Sequence, residues 1–309
     1  MKKQILLCLI LSTLYTIPLF SSSELTGKGN HRNDTLIEMD SATFLVELDA
    51  IIHAIAFDHK NNLYVGGKNK VYSIDKDKKI ITFAELTDTT NKTIIWGMTF
   101  DLNGNLFIAA QDRIIKIDTL GTPITLIRED FGGPCGVSDV RIDSANNLYI
   151  AYDNIIAQYD TALNKKIIVN GNDFNPPIEW AVGIEFDNKN EYIFVGDCNG
   201  KKLYIIPYKS FDYVDRSSVI PSNWGQYLTK DEHGNIYLSM HGPETFPEFL
   251  LVDQNLKKKE IYLKKRPYQA KGTHKKAIAY GQYGSYEKGI YCIIGNKIYI
   301  YPENRIIWK

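Results

Sequence analysis

Ile95-Trp96-Gly97-Met98-Thr99-Phe100-Asp101-Leu102-Asn103-Gly104-Asn105-Leu106-Phe107-Ile108-Ala109-Ala110-Gln111-Asp112-Arg113-Ile114-Ile115-Lys116-Ile117-Asp118 reads as three short strands joined by tight turns. The first strand ends at Phe100-Asp101, the second runs from Asn105 to Ala110, and the third from Ile114 to Ile117. Asp101 can hydrogen-bond the backbone two residues on, and Asn103 and Gly104 tolerate left-handed geometry, so the turn has its own chemistry. The unit then recurs. Its turn aspartates are Asp58, Asp101, Asp143, Asp187 and Asp231, at spacings of 43, 42, 44 and 44 residues, and a degraded sixth copy spans Ala277 to Tyr301. Most copies add a fourth apolar run, as at Ile80 to Phe83, Ile124 to Ile127 and Ile167 to Val169. Four short strands per period of roughly 40–50 residues describe a propeller blade. Helical solenoids of similar period do not fit, because the apolar residues alternate or run in fours.

The expectation is an all-β, six-bladed β-propeller of four-stranded antiparallel blades around a central channel, one domain over residues 43–309. Either Phe44 to Leu48 or Arg305 to Trp308 can supply the outer strand of the sixth blade, since pairing the two termini removes a sheet edge.

The N-terminal part stands outside the repeat. Lys2 and Lys3 precede an apolar stretch from Ile5 to Phe20, and the small residues Ser21 to Ser23 follow, so residues 1–23 read as a signal peptide and the protein as exported, periplasmic or extracellular. Residues 24–42 are polar at first and aperiodic, and read as a flexible leader. Lys plus Arg and Asp plus Glu both number 36, so no global field draws the chain to nucleic acid or a membrane. The 20 tyrosines and 13 phenylalanines favour strands over helices. Only Cys135, Cys198 and Cys292 follow the leader, so a hydrophobic core and not a disulfide framework must hold the domain. Cys135 and Cys198 fall in neighbouring blades and can form one disulfide. Asn33 and Asn91 begin glycosylation sequons that matter only in a eukaryotic secretory pathway.

The Phe-Asp, turn, Asn-Leu-Tyr unit resembles the six-bladed superfamily of NHL-repeat proteins and the gluconolactonase (senescence-marker protein) family. That resemblance covers residues 43–309 in outline. It implies ligands bound at one mouth of the channel and, in the gluconolactonases, a catalytic divalent metal held by Glu, Asn and Asp at the starts of inner strands. The aligned positions here are His53, Trp96, Ser138, Val182, Gln226 and Lys276, with no Glu or Asp among them.

Trp96, Trp180 and Trp224 each stand at the entry to an inner strand, so they should gather on that mouth. They read either as an aromatic wall for a planar or sugar-like ligand or as packing between blades. His53, Glu179, Asn223, His241 and His274 would share the face with them, together with Asp139, Asp197 and Glu244. The turn aspartates lie on the opposite face and read as caps instead of metal ligands. No Gly-x-Ser-x-Gly elbow is present, and no short His or Cys spacing marks a metal site. From Lys257 to Lys276 nine basic residues face one glutamate, a stripe suited to weak polyanion contact or to a solvated outer strand. The residues favour an exported, non-catalytic propeller that binds a small molecule or partner at the aromatic mouth, with no cofactor. The alternative is a divalent-metal-dependent lactonase or esterase of the gluconolactonase type with displaced ligands.

Overall fold

Asp101 shows why the chain reverses where it does. Its Oδ1 accepts the backbone N–H of Asn103 at 2.9 Å and of Asn105 at 2.8 Å, and its Oδ2 accepts the Asn105 side-chain amide at 2.7 Å. Gly104 takes the left-handed position at φ 83°. The same cap recurs at Asp58, Asp143 and Asp231, with Asn61, Asn146 and Gly234 at positive φ. Asp187 holds a turn one residue longer, closing on Tyr192. A second row of caps, which the sequence reading did not single out, serves the turns between third and fourth strands at Asp75, Asp118, Asp160 and Asp253.

Each capped unit folds as a meander. The computed structural model describes residues 36–39, 42–86, 93–132, 136–189, 191–210, 212–215, 217–222, 227–240, 249–263, 275–284, 288–294, 296–303 and 306–308. Six antiparallel blades form a ring. The inner strands are Ile52–Phe57, Ile95–Phe100, Val137–Ile142, Ala181–Phe186, Leu228–Lys230 and Lys275–Gly281, in blades one to six. Apolar clusters fill all six seams, each drawing residues from two adjacent blades. Leu45, Ile52, Leu63, Tyr291 and Ile293, for example, join blade six to blade one. Successive residues of one strand serve the two seams in turn: Tyr291 and Ile293 face blade one, whereas Ile290, Cys292 and Ile294 face blade five, as sheets buried on both faces in a ring require.

Both terminal strands are used, in different blades. Thr43–Glu47 pairs antiparallel with Lys297–Pro302 and is the outer strand of blade six. Leu36–Met39, within the segment expected to be a leader, is instead a strand. It pairs parallel with Lys258–Leu263 on the outer edge of blade five, and Ile306–Trp308 then pairs antiparallel with it. Blade five is therefore six strands wide and the other five blades have four each. The short Leu-Ile-Glu-Met run extends because the outer strand of blade five offers it unpaired backbone groups. Asn33 and Asn91 lie outside the described residues. No described helix is long and apolar enough to cross a membrane.

Candidate functional site

Five of the inner strands carry the same irregularity. In blade one Ile52 pairs with Gly67 and Ala54 with Gly66, so the register shifts at His53. The equivalent bulged residues are Trp96, Ser138, Val182 and Lys276 in blades two, three, four and six. These are five of the six positions that the sequence comparison aligned with the metal-holding sites of gluconolactonases. A bulge frees its residue from the pleat and re-aims its side chain, which is why bulges gather beside binding sites. The sixth aligned position, Gln226, lies outside the described residues.

Trp96 and His53 meet at this rim edge to face, with ring centroids 5.2 Å apart and an interplanar angle of 63°. Trp180 enters differently. It precedes its strand and is held through its backbone: buried Asp197 accepts the N–H groups of Trp180 at 3.0 Å, Glu179 at 3.2 Å and Gly200 at 3.0 Å. The side chain of Glu179 is in solvent. Trp96 and Trp180 are two blades apart and share no ring contact. Trp224, Asn223, His241, His274 and Glu244 lie outside the described residues, as does Cys135, so the Cys135–Cys198 pairing does too. Cys198 itself is buried on this face, its N–H donating to the Trp180 carbonyl.

Below the rim the channel is plugged. Inner-strand side chains two apart share a face, and at one equivalent level of the ladder the six blades carry Ala56, Thr99, Arg141, Glu185, Thr229 and Ala279. One long side chain fills the space that small neighbours leave. Arg141 bonds Asp139 Oδ1 at 2.6 Å and the Val140 carbonyl at 2.9 Å within blade three, Glu185 at 3.3 Å in blade four, and the Leu228 carbonyl at 3.0 Å in blade five. Sequence reasoning missed Arg141 and Glu185. The available signal was the presence of charges at alternate positions in strands whose counterparts carry alanine and threonine.

Burial pushes the Asp139 carboxyl up to about 6 from an ordinary 3.8, against the pull of the Arg141 guanidinium and the N–H groups of Ile184 and Val140. Burial also opposes the charge on Arg141, but Asp139 and Glu185 hold it above its usual value. Because the folded value for Asp139 is raised, its stabilising contribution is complete below about 3.8 and lost as pH rises through about 6. A carbon-13 titration of the side-chain carboxyls should find one midpoint near 6, absent in Asp139→Asn. A midpoint in the ordinary aspartate range would show that Arg141 outweighs burial.

Buried polar atoms lacking a partner mark this face. Among the described residues they include Trp96 Nε1, Ser138 Oγ, Trp180 Nε1 and Ser222 Oγ, all at the mouth end of their blades. The opposite face, by contrast, satisfies its turns with the aspartate caps. Such atoms are uncommon in folded proteins and call for an explanation. The cavity lined by Trp96, Gly97, Asp139, Arg141 and Tyr227 is only about 20 Å³, room for one water-sized group, so a ligand must lie mainly above it. A larger cavity of about 280 Å³ opens on the opposite face between blades one and six, beside Lys60, Lys76 and Gln282. None of the four unpartnered atoms lies in it.

A divalent metal does not fit the described rim. Among the bulged residues whose side chains are described only His53 is a common ligand, and valine has no donor. Nor do three His, Cys, Asp or Glu residues converge anywhere among the described residues.

No protein-family description matches the sequence. No curated protein matches it either. Similar solved structures include a gluconolactonase from Xanthomonas campestris, 9% identical with a TM-score of 0.63 over 88% of this chain and 99% of that one. They also include a catalytically inactive histidine-to-alanine variant of virginiamycin B lyase from Staphylococcus aureus with quinupristin, 15% identical with a TM-score of 0.57 over 84% of this chain and 97% of that one. A streptogramin B lyase matches at 15% identity and a TM-score of 0.56 over 84% and 95% of the two chains. The chain shares the six-bladed propeller fold of the gluconolactonases and the virginiamycin B lyases.

Proposed function

We propose that this chain is an exported enzyme that opens a cyclic ester, a lactone or a related ring, at the mouth where Trp96 meets His53. The observation that carries the reading is the concentration of buried, unpartnered polar atoms on that one face, at the rim where the bulges present their side chains. The structural neighbours support an enzyme over the non-catalytic carrier that the residues first favoured. They include lactonases and lyases, and in one lyase a single histidine-to-alanine exchange accompanies inactivity. His53 is the described histidine on this rim; His59 and His233 belong to the capped turns opposite. In this reading the ligand ring lies beside Trp96, above the rim. His53 takes a proton from water as that water adds to the acyl carbon, and the ring C–O bond breaks with the alcohol oxygen taking up the proton. No step requires a metal. Export rests on the N-terminal segment.

Purified protein assayed against γ- and δ-lactones and aryl esters, before and after chelation, tests this. The expected result is turnover that survives chelation and falls by two or more orders of magnitude in His53→Ala, roughly the share of general-base catalysis. Tryptophan quenching by a ring compound with no turnover would return the protein to the carrier reading. Chelator-sensitive turnover would point to ligands in the loops around residues 223–226 and 241–248.

A further inference from the structure

We propose that Trp96 and Ser138 together form a two-donor seat for one oxygen of the ligand, its carbonyl oxygen under the ring-opening reading on which this inference rests. The two residues are the bulged positions of neighbouring blades two and three. One residue further along, the two inner strands touch. A Cβ added at Gly97 would stand 2.5 Å from Asp139 Oδ1 and 2.9 Å from Asp139 Cα. Contact that close between Gly97 and Asp139 brings the residues before them, Trp96 and Ser138, side by side at the rim.

Ser138 is 5% exposed, and neither its Oγ nor the Trp96 Nε1 has a hydrogen-bond partner. Asp139 does not compete for them, because its oxygens are taken by Val140 N–H, Ile184 N–H and Arg141. An indole N–H only donates, and a serine hydroxyl can turn its proton outward, so the pair suits an acceptor with two lone pairs. Trp96, with Gly97 and Asp139, also lines a space of about 20 Å³, room for one water-sized group and too small for a ring. Donors carried on paired strands stay fixed as charge builds on that oxygen during attack, which is when they stabilise it most.

A hydroxyl kept buried for a ligand lowers the stability of the unliganded protein, and the test uses that opposition. Ser138→Ala should raise the thermal midpoint by roughly 2–4 °C, the gain from removing an unsatisfied buried group. The same variant should lose selectivity. The preference for δ-valerolactone over tetrahydropyran, the same ring without its carbonyl, should fall about tenfold, one hydrogen bond's worth. Binding is followed by the indole N–H resonances, and Trp96→Phe should behave alike when followed by backbone amides. A lower midpoint in Ser138→Ala would overturn the proposal by showing that the hydroxyl has a structural partner such as a bound water. A raised midpoint with unchanged preference would overturn the seat and leave the mouth reading standing. If neither ring perturbs the wild-type protein, the mouth reading falls and the seat falls with it.

Discussion

Replacing Arg141 with methionine should lower the thermal midpoint by on the order of 10 °C, the largest effect expected of any single exchange in the channel. The guanidinium is the only described positive charge that faces Asp139 and Glu185, and it also bonds the Leu228 carbonyl one blade further on. Methionine fills a similar volume but leaves two carboxylates at low exposure without a cation. Breaking a buried pair in this way costs about 3–5 kcal/mol. Over a domain of this size each kcal/mol moves the midpoint by roughly 2–4 °C. The loss should be smaller at pH 4 than at pH 7, since protonating Asp139 removes one of the two stranded charges. Arg141→Lys should not restore the wild type, because one ammonium cannot span three blades as the planar fork does. A midpoint unchanged at pH 7 would mean that the carboxylates swing to solvent and that the plug contributes nothing to stability.

Removing residues 1–48 should abolish cooperative folding, whereas removing residues 304–309 should move the midpoint by only a few degrees. The first deletion takes away the outer strand of blade six and exposes the whole length of Lys297–Pro302. It also removes Leu45 and Leu48, each 1% exposed in the cluster that seals blade six to blade one, and the bonds from Asn296 to Glu47 and Leu48. Two buried leucines alone amount to about 3–6 kcal/mol, a large part of the roughly 5–15 kcal/mol that holds a domain. The second deletion takes a three-residue strand that pairs, among the described residues, with Leu36–Met39 alone. Circular dichroism melts of the two truncations decide the matter. Cooperative unfolding of the N-terminal deletion near the wild-type midpoint would show that the ring does not depend on this strand.

The blade repeat was legible because turn chemistry is local. Asp58, Asp101, Asp143 and Asp231 hold their turns with bonds to residues two and four positions on, so their spacing alone announces the period. Ring closure was half legible: Phe44 to Leu48 and Arg305 to Trp308 both looked like edge strands, but which edge each would take depends on distant partners. The rim was legible only as a set of positions. Trp96 looked like the residue before a strand and proved to be the second residue inside one, displaced by the bulge. The Arg141 plug was marked in the sequence only by a charge where other blades carry alanine or threonine; its acceptors in blades four and five could not be read from neighbours in sequence. Arg141 and Leu228 are 87 residues apart.

A bulged residue answers to nothing across the ladder. Exchanging Trp96, Ser138 or Val182 leaves the ladder pairs on either side where they were, so each of the five bulged strands offers one socket whose content can drift without disturbing the sheet that holds it. A propeller built this way can change its chemistry one blade at a time while its architecture stays in place. The same sockets make the ring a scaffold for grafting: side chains can be exchanged at five equivalent positions of its described inner strands.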